Sequence, residues 1–130
     1  MLKLYLSHPI TGLPGTTKDQ RSDLLTRAIA FGKKLRECGY DVHVPADCEG
    51  FVEVAHSMSM LTVDDILAVD CNIINMCDGV VFLNLQGTFS HGMEVEFKHA
   101  VKQGKRMVTI PSGMEHSSVE LLTMILKGGL

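Results

Sequence analysis

The spacing of apolar positions changes period several times along the chain. Residues 2–6, Leu-Lys-Leu-Tyr-Leu, alternate and are rich in β-formers, which predicts a strand. The stretch 7–17, SHPITGLPGTT, holds two Pro, two Gly and several hydroxyls and reads as a loop, with Thr17 as the cap of a following helix. Over 18–38, Leu24, Leu25, Ala28, Phe31 and Leu35 recur at helical spacing, and Gly39 is a stop signal. Residues 40–44 form a second strand ended by Pro45. The segment 46–59 is less regular and fits either a short helix or an ordered loop. Residues 60–76 return to a helical period through Leu61, Ile66, Leu67, Ile73 and Ile74, until Asp78-Gly79 breaks it. Residues 80–83, VVFL, are wholly apolar, as in a strand covered on both faces of a parallel sheet. A helix over 90–103 with Gly104 as its stop, a strand over 106–110 and a turn over 111–116 follow. Ser117 or Ser118 would cap a last helix over 119–127, stopped by Gly128 and Gly129.

Strands thus alternate with helices, which favours a three-layer, Rossmann-like (flavodoxin-like) α/β domain with a mostly parallel sheet. A chain of 130 residues fits one such domain over 1–130. Sheets of this kind bind ligands outside the carboxyl ends of their strands. Here those ends are 7–12, 45–49, 84–90 and 111–113, and all carry polar, Gly or Pro residues.

Composition removes several classes of function. With 45% hydrophobic and 21% charged residues, the chain is globular rather than disordered. A net charge of -3 and a pI near 6.0 do not suit a nucleic-acid surface. No stretch reaches the roughly 18 apolar residues of a membrane helix, and Met1 leads into an apolar run without the layout of a signal peptide. Cys38, Cys48, Cys71 and Cys77 lack CxxC spacing and read as free thiols of a cytoplasmic protein. The six His include no HExxH, so no metal is expected. SHPITG is neither GxxxxGK[ST] nor GxGxxG, and LQGTFSHG is not GxSxG, so the usual signatures for ATP, NAD and a serine nucleophile are missing.

The candidate chemistry lies in two rim loops. In the first, Ser7, His8, Ile10 and Gly12 make a turn whose backbone N–H groups could hold an anion. In the second, Ser90 is either a helix cap or a hydroxyl donor to a ligand, and a helix start there favours a phosphate. Glu94 and Glu96 follow, about 200° apart around the axis, so they do not share a face. Gly92 and Ala100 lie four residues either side of Glu96, which leaves that carboxylate approachable and gives it a mild preference. Asp70 sits in an apolar context, LAVDCNII, where an acid pays a desolvation cost unless paired. Asp78 reads as a turn acid at the opposite end of the sheet.

Three segments, KLYLSHPITG, VDCNIINMCDGVVFL and SHGMEVEFKHAVKQGKRMV, together resemble the nucleoside 2-deoxyribosyltransferase superfamily over nearly the whole chain. The branch most similar is the nucleoside 5'-monophosphate N-glycosidases. The resemblance implies a nucleophilic Glu in a G-x-x-x-E-x-x-x-A pattern, matched by Gly92, Glu96 and Ala100. It implies an Asp 26 positions earlier, Asp70, contacting the sugar and assisting protonation of the leaving base. It assigns Tyr5 to orient the Glu. Ser90 stands where nucleoside transferases tend to have Asp, which fits a phosphate better than a carboxylate would. The first loop, with Ser7, His8, Ile10 and Gly12, joins Ser90 and Gly92 in binding the substrate. The segment ELLTMILKGG resembles one by which a subunit offers a hydroxyl to its neighbour's phosphate, which implies a homodimer, with Thr123 in that role and Ser117 nearby. SHPITG lacks the Arg that some phosphate-binding relatives carry there.

The implied reaction is hydrolysis of the N-glycosidic bond of a nucleoside 5'-monophosphate through a glutamyl-sugar ester, with no metal or redox cofactor. A 2-deoxyribosyltransferase would pass the same ester to an incoming base. A non-catalytic nucleotide-binding module would keep the rim without needing Glu96.

Overall fold

The computed structural model describes residues 2–115. The predicted last helix and the expected site residues Ser117 and Thr123 lie outside them.

The strands are β1 (Lys3–Ser7), β2 (Asp41–His43), β3 (Gly79–Asn84) and β4 (Arg106–Pro111). They form one sheet in the order β2-β1-β3-β4, and every pairing is parallel. The helices are α1 (Lys18–Glu37), α2 (Glu49–Ser57), α3 (Val63–Asn75) and α4 (His91–Lys102), with a 3-10 turn at Pro45–Cys48 leading into α2. The irregular segment therefore resolves into that turn and a short helix. The third helix begins at Val63 rather than residue 60, because Thr62 caps it: its hydroxyl accepts from the Asp65 N–H at 3.0 Å while the Asp65 carboxylate accepts from the Thr62 N–H. Thr17 caps α1 as the sequence predicts, and Gln20 completes the same reciprocal arrangement.

The period of two in β1 and β3 creates the layers. Leu4, Leu6, Val81 and Leu83 pack with Leu24, Ala28, Phe31 and Leu35 of α1 on one face. Tyr5, Val80 and Phe82 pack with Ile74, Met93 and Ala100 of α3 and α4 on the other. The domain is thus a three-layer α/β sandwich of the flavodoxin-like order. Helix α1 lies very close to the sheet: a Cβ at Gly32 would sit 2.4 Å from Val44 Cγ2, so only glycine fits.

From β1 the chain moves outward to β2; from β3 it moves the opposite way to β4. The crevice beyond the carboxyl ends of β1 and β3 is therefore the switch point where such folds bind ligands. Ser7 pairs in register with Phe82, so Ser7 and Asn84 bring both strands to this rim.

Candidate active site

Tyr5 and Ser7 are two apart on β1 and point to the same face, toward α3 and α4. Glu96 reaches them from the second turn of α4. The Tyr5 hydroxyl donates a hydrogen bond to Glu96 Oε2, and the Ser7 hydroxyl donates to Oε1 at 2.8 Å. Both carboxylate oxygens are therefore held by neighbouring side chains of one strand. Glu96 is 5% exposed and Tyr5 and Ser7 are 0% exposed, so this grip lies almost wholly out of water.

Burial dominates the electrostatics. It pushes the Glu96 carboxyl up from 4.5 to about 7, against the hydrogen bonds from Tyr5 and Ser7, and the Asp70 charge adds to the rise. Asp70, half-buried on the adjacent helix α3, is pushed up to about 6, again chiefly by burial. The neighbouring Tyr5 hydroxyl opposes the rise, while the Glu49 charge adds to it. The Tyr5 phenol is raised well above its ordinary value by burial and then by the Glu96 and Asp70 charges, so it stays a donor. Near neutral pH the site holds two carboxyl groups that titrate close together beside a phenol that does not.

The structure brings together Glu96, Asp70, Tyr5 and Ser7 and sets Glu94 apart as exposed. Ser7, expected to bind substrate, grips Glu96 directly. Its alternation with Tyr5 in the sequence puts both side chains on one face of β1, and the contact with Glu96 comes from the tertiary fold. Asp78 lies at the opposite end of the sheet, where it accepts from the Lys3 N–H at 2.7 Å. Ser90 caps α4, accepting from the Met93 N–H at 3.4 Å, and its own hydrogen remains available to a ligand. A Cβ at Gly92 would make only an ordinary 3.6 Å contact with Leu67, so nothing among the described residues demands glycine there.

The first loop is tied to the fold from within. His8 is buried, and its Nε2 accepts from the Ala46 N–H at 3.2 Å, which leaves the proton on Nδ1 to donate to Pro9 O at 3.1 Å. Burial lowers its pKa to about 4, so the ring is neutral and both nitrogens are used by backbone. Gly12 has φ +80°, and a Cβ there would meet Thr16 Oγ1 at 2.6 Å and Gln86 Oε1 at 3.0 Å. Gln86 accepts from the Leu13 N–H at 2.9 Å and donates to Thr16 Oγ1 at 3.0 Å, fastening the loop to the end of β3. Ile10 is partly exposed on this loop.

Several neighbours were not anticipated. His43 stacks on Tyr5 with ring centroids 5.5 Å apart. Burial raises the thiol of Cys71, beside Asp70, and the charges of Glu96 and Asp70 add to the rise. Phe89 stacks on Phe82 at 5.1 Å and meets Phe97 edge-on, which makes an apolar wall next to α4. Asn84, at the end of β3, has a side-chain oxygen shut off from solvent with no hydrogen-bond partner among the described residues.

No helix among the described residues is long and apolar enough to cross a membrane. A family model described as a domain of unknown function, DUF4406, matches residues 2–109, and the chain belongs to that family. No curated protein matches it.

Proposed function

We propose that this DUF4406 chain is a hydrolase that cleaves the N-glycosidic bond of a nucleoside 5'-monophosphate, releasing free base and (deoxy)ribose 5-phosphate. The observation that carries the reading is the buried Glu96 carboxylate, held at both oxygens by Tyr5 and Ser7, with Asp70 poised near neutrality beside it. A nucleophilic carboxylate needs a fixed orientation and little competing water. A proton donor for a leaving base needs a pKa near working pH.

In the first step Glu96 bonds to C1' and the C1'–N bond breaks, with its electron pair going to the base. The proton of the Asp70 carboxyl moves to that base nitrogen. In the second, water attacks C1', its proton passes to the Asp70 carboxylate, and the Glu96–C1' bond breaks to restore the free carboxylate. The two acids divide the work as in retaining glycosidases. Ser90 and the start of α4 suit the 5'-phosphate, since a helix N-terminus favours an anion. Helix α2 begins with Glu49, whose charge reaches Asp70, and exposes Phe51 and Val54, so the segment 45–59 is the part of the rim suited to the base. The reading includes a cytoplasmic homodimer. The exposed Val69 of α3, Met76 at its C-cap, and Phe97 and Val101 of α4 are apolar surface consistent with a subunit contact.

Incubating the protein with each ribo- and deoxyribonucleoside monophosphate and following free base by chromatography tests the reading. Base release that disappears in Glu96→Ala is expected, with a bell-shaped pH profile. Glu96 must be ionised, giving a rise through about 7, and Asp70 protonated, giving a fall beyond about 6; the maximum then falls between the two. Release only when a second base is supplied would make the protein a transferase. Tight binding without turnover would make it a nucleotide-binding module.

A further inference from the structure

Tyr5 is flanked on both sides within the sheet. Its register partners are Val80 on β3 and His43 on β2, and the side chains of paired residues stand on the same face. Val80 is buried beside Tyr5 in the core under α3 and α4. On the other side the His43 ring stacks on the phenol, with centroids 5.5 Å apart and an angle of 27° between the planes. The phenol therefore stands between an aliphatic side chain and a flat ring. Beyond His43 the described sheet ends, since β2 is its outer strand. A Tyr5 ring leaning toward β2 would lean away from α4, which joins β3 to β4 on the opposite side of β1.

Filling a strand edge would call for a β-branched side chain rather than a histidine. His43 is half-buried, and burial lowers its pKa; the Asp47 charge opposes the fall and the Arg36 charge adds to it, so the ring is neutral near pH 7. Among the described residues neither ring nitrogen has a hydrogen-bond partner, so what the imidazole brings to this position is its flat face. We propose that His43 is a positioning residue, whose ring face keeps the Tyr5 hydroxyl on Glu96 Oε2 and thereby fixes the carboxylate that the reaction uses. Its effect on turnover rests on the reading of Glu96 as nucleophile; its effect on the Tyr5–Glu96 contact does not. The hydroxyl sits at the far end of the phenol, where a small lean of the ring has its largest effect, and a misplacement of about 1 Å at a reacting group can cost about a hundredfold in rate.

The test follows the Glu96 titration by carboxyl carbon NMR in wild type, His43→Ala, His43→Phe, Tyr5→Phe and the double variant Tyr5→Phe/His43→Ala. The Tyr5 hydrogen bond lowers the Glu96 pKa, so Tyr5→Phe should move the titration up by roughly one to two pH units. His43→Ala should move it the same way by part of that amount, while His43→Phe, which keeps a flat ring, should stay near wild type. With Tyr5 already replaced, His43→Ala should add nothing, because its effect passes through the lost hydroxyl. With nucleoside monophosphates, kcat of His43→Ala should fall roughly tenfold at little changed KM, and His43→Phe should restore it. A Glu96 titration that stays put in His43→Ala, or that moves down as water enters, would overturn the inference. So would a shift of equal size when Tyr5 is already replaced, or a His43→Phe protein that behaves like His43→Ala. His43→Leu fills the space without a flat face and is the second disrupting variant should His43→Ala not fold; a wild-type titration there would reduce the ring to packing and overturn the inference as well. A wild type that releases no base from any nucleoside monophosphate would overturn the hydrolase reading, while the titrations would still decide the part played by His43.

Discussion

Glu96→Gln should make the protein more stable at pH 8, and the size of the gain follows from burial. In the folded chain the carboxyl is raised from 4.5 to about 7, so between those values the folded state binds more protons than the unfolded one. Stability contributed by the group is therefore full below about 4.5 and is lost as pH rises through about 7. The difference of about 2.5 units corresponds to about 3 kcal/mol, as an order of magnitude, at about 1.36 kcal/mol per unit. Glutamine keeps the shape and cannot ionise. Its amide oxygen still accepts from one of the Tyr5 and Ser7 hydroxyls, and its amide nitrogen can donate to the other.

The assay is urea unfolding of both proteins from pH 4.5 to 8, reading the difference between them. The wild-type curve alone would mislead, because His8 has the opposite sign. Its folded pKa is lowered to about 4 from 6.5, so its contribution is lost on acidification through the interval in which Glu96 gains. Subtracting the variant cancels His8 and every other group unaffected by the substitution. Stability of Glu96→Gln relative to wild type should climb by about 3 kcal/mol from pH 4.5 to above 7 and then level off. A pH-independent difference, or a variant weaker than wild type at pH 8, would show that the ionised carboxylate is well solvated or well paired, and the case for a strained nucleophile would fall.

Ser7→Ala removes one donor to the Glu96 carboxylate, so the Glu96 titration, followed by carboxyl carbon NMR, should move to higher pH. Base release at pH 7 should then fall about tenfold or more, since a hydrogen bond to a charged group is worth about 1.5–3 kcal/mol. An unmoved titration would mean that the 2.8 Å contact does not act on the charged form. His8→Leu should narrow the acid-side loss of stability: relative to wild type, the variant should gain about 3 kcal/mol as pH falls from 6.5 to about 4, read by urea unfolding. A parallel pair of curves would contradict a neutral buried ring. Gly32→Ala should cost about 1–3 kcal/mol in thermal unfolding, because its Cβ would lie 2.4 Å from Val44, and an unchanged midpoint would show that α1 can move off the sheet.

What could be read from the chain divides according to how far apart the cause and the effect lie. Strand and helix identities follow from local period, and Thr17, Ser90 and Gly104 stand at helix ends as their chemistry suggests. The all-parallel sheet follows from the alternation of those elements and the handedness of their connections. Segment 46–59 resisted because its large apolar residues face outward: Phe51, Val54 and Met58 are exposed while the small Ala46 and Ala55 are buried, so the helical period has little apolar contrast to mark its inner side. Within the site, Asp70 was legible because an acid among apolar residues is a local anomaly, and its raised pKa follows from that context. The Glu96 preference rested on flanking small residues, but its grip by Ser7 depends on α4 crossing β1 across an 89-residue separation, which no spacing encodes. His8 is the converse case. A histidine in a rim loop looks like a ligand from the sequence, yet its two nitrogens serve Ala46 and Pro9, and Ala46 is 38 residues away. The candidate site is thus marked where a local rule is broken: a buried acid that is hydrogen-bonded but not neutralised.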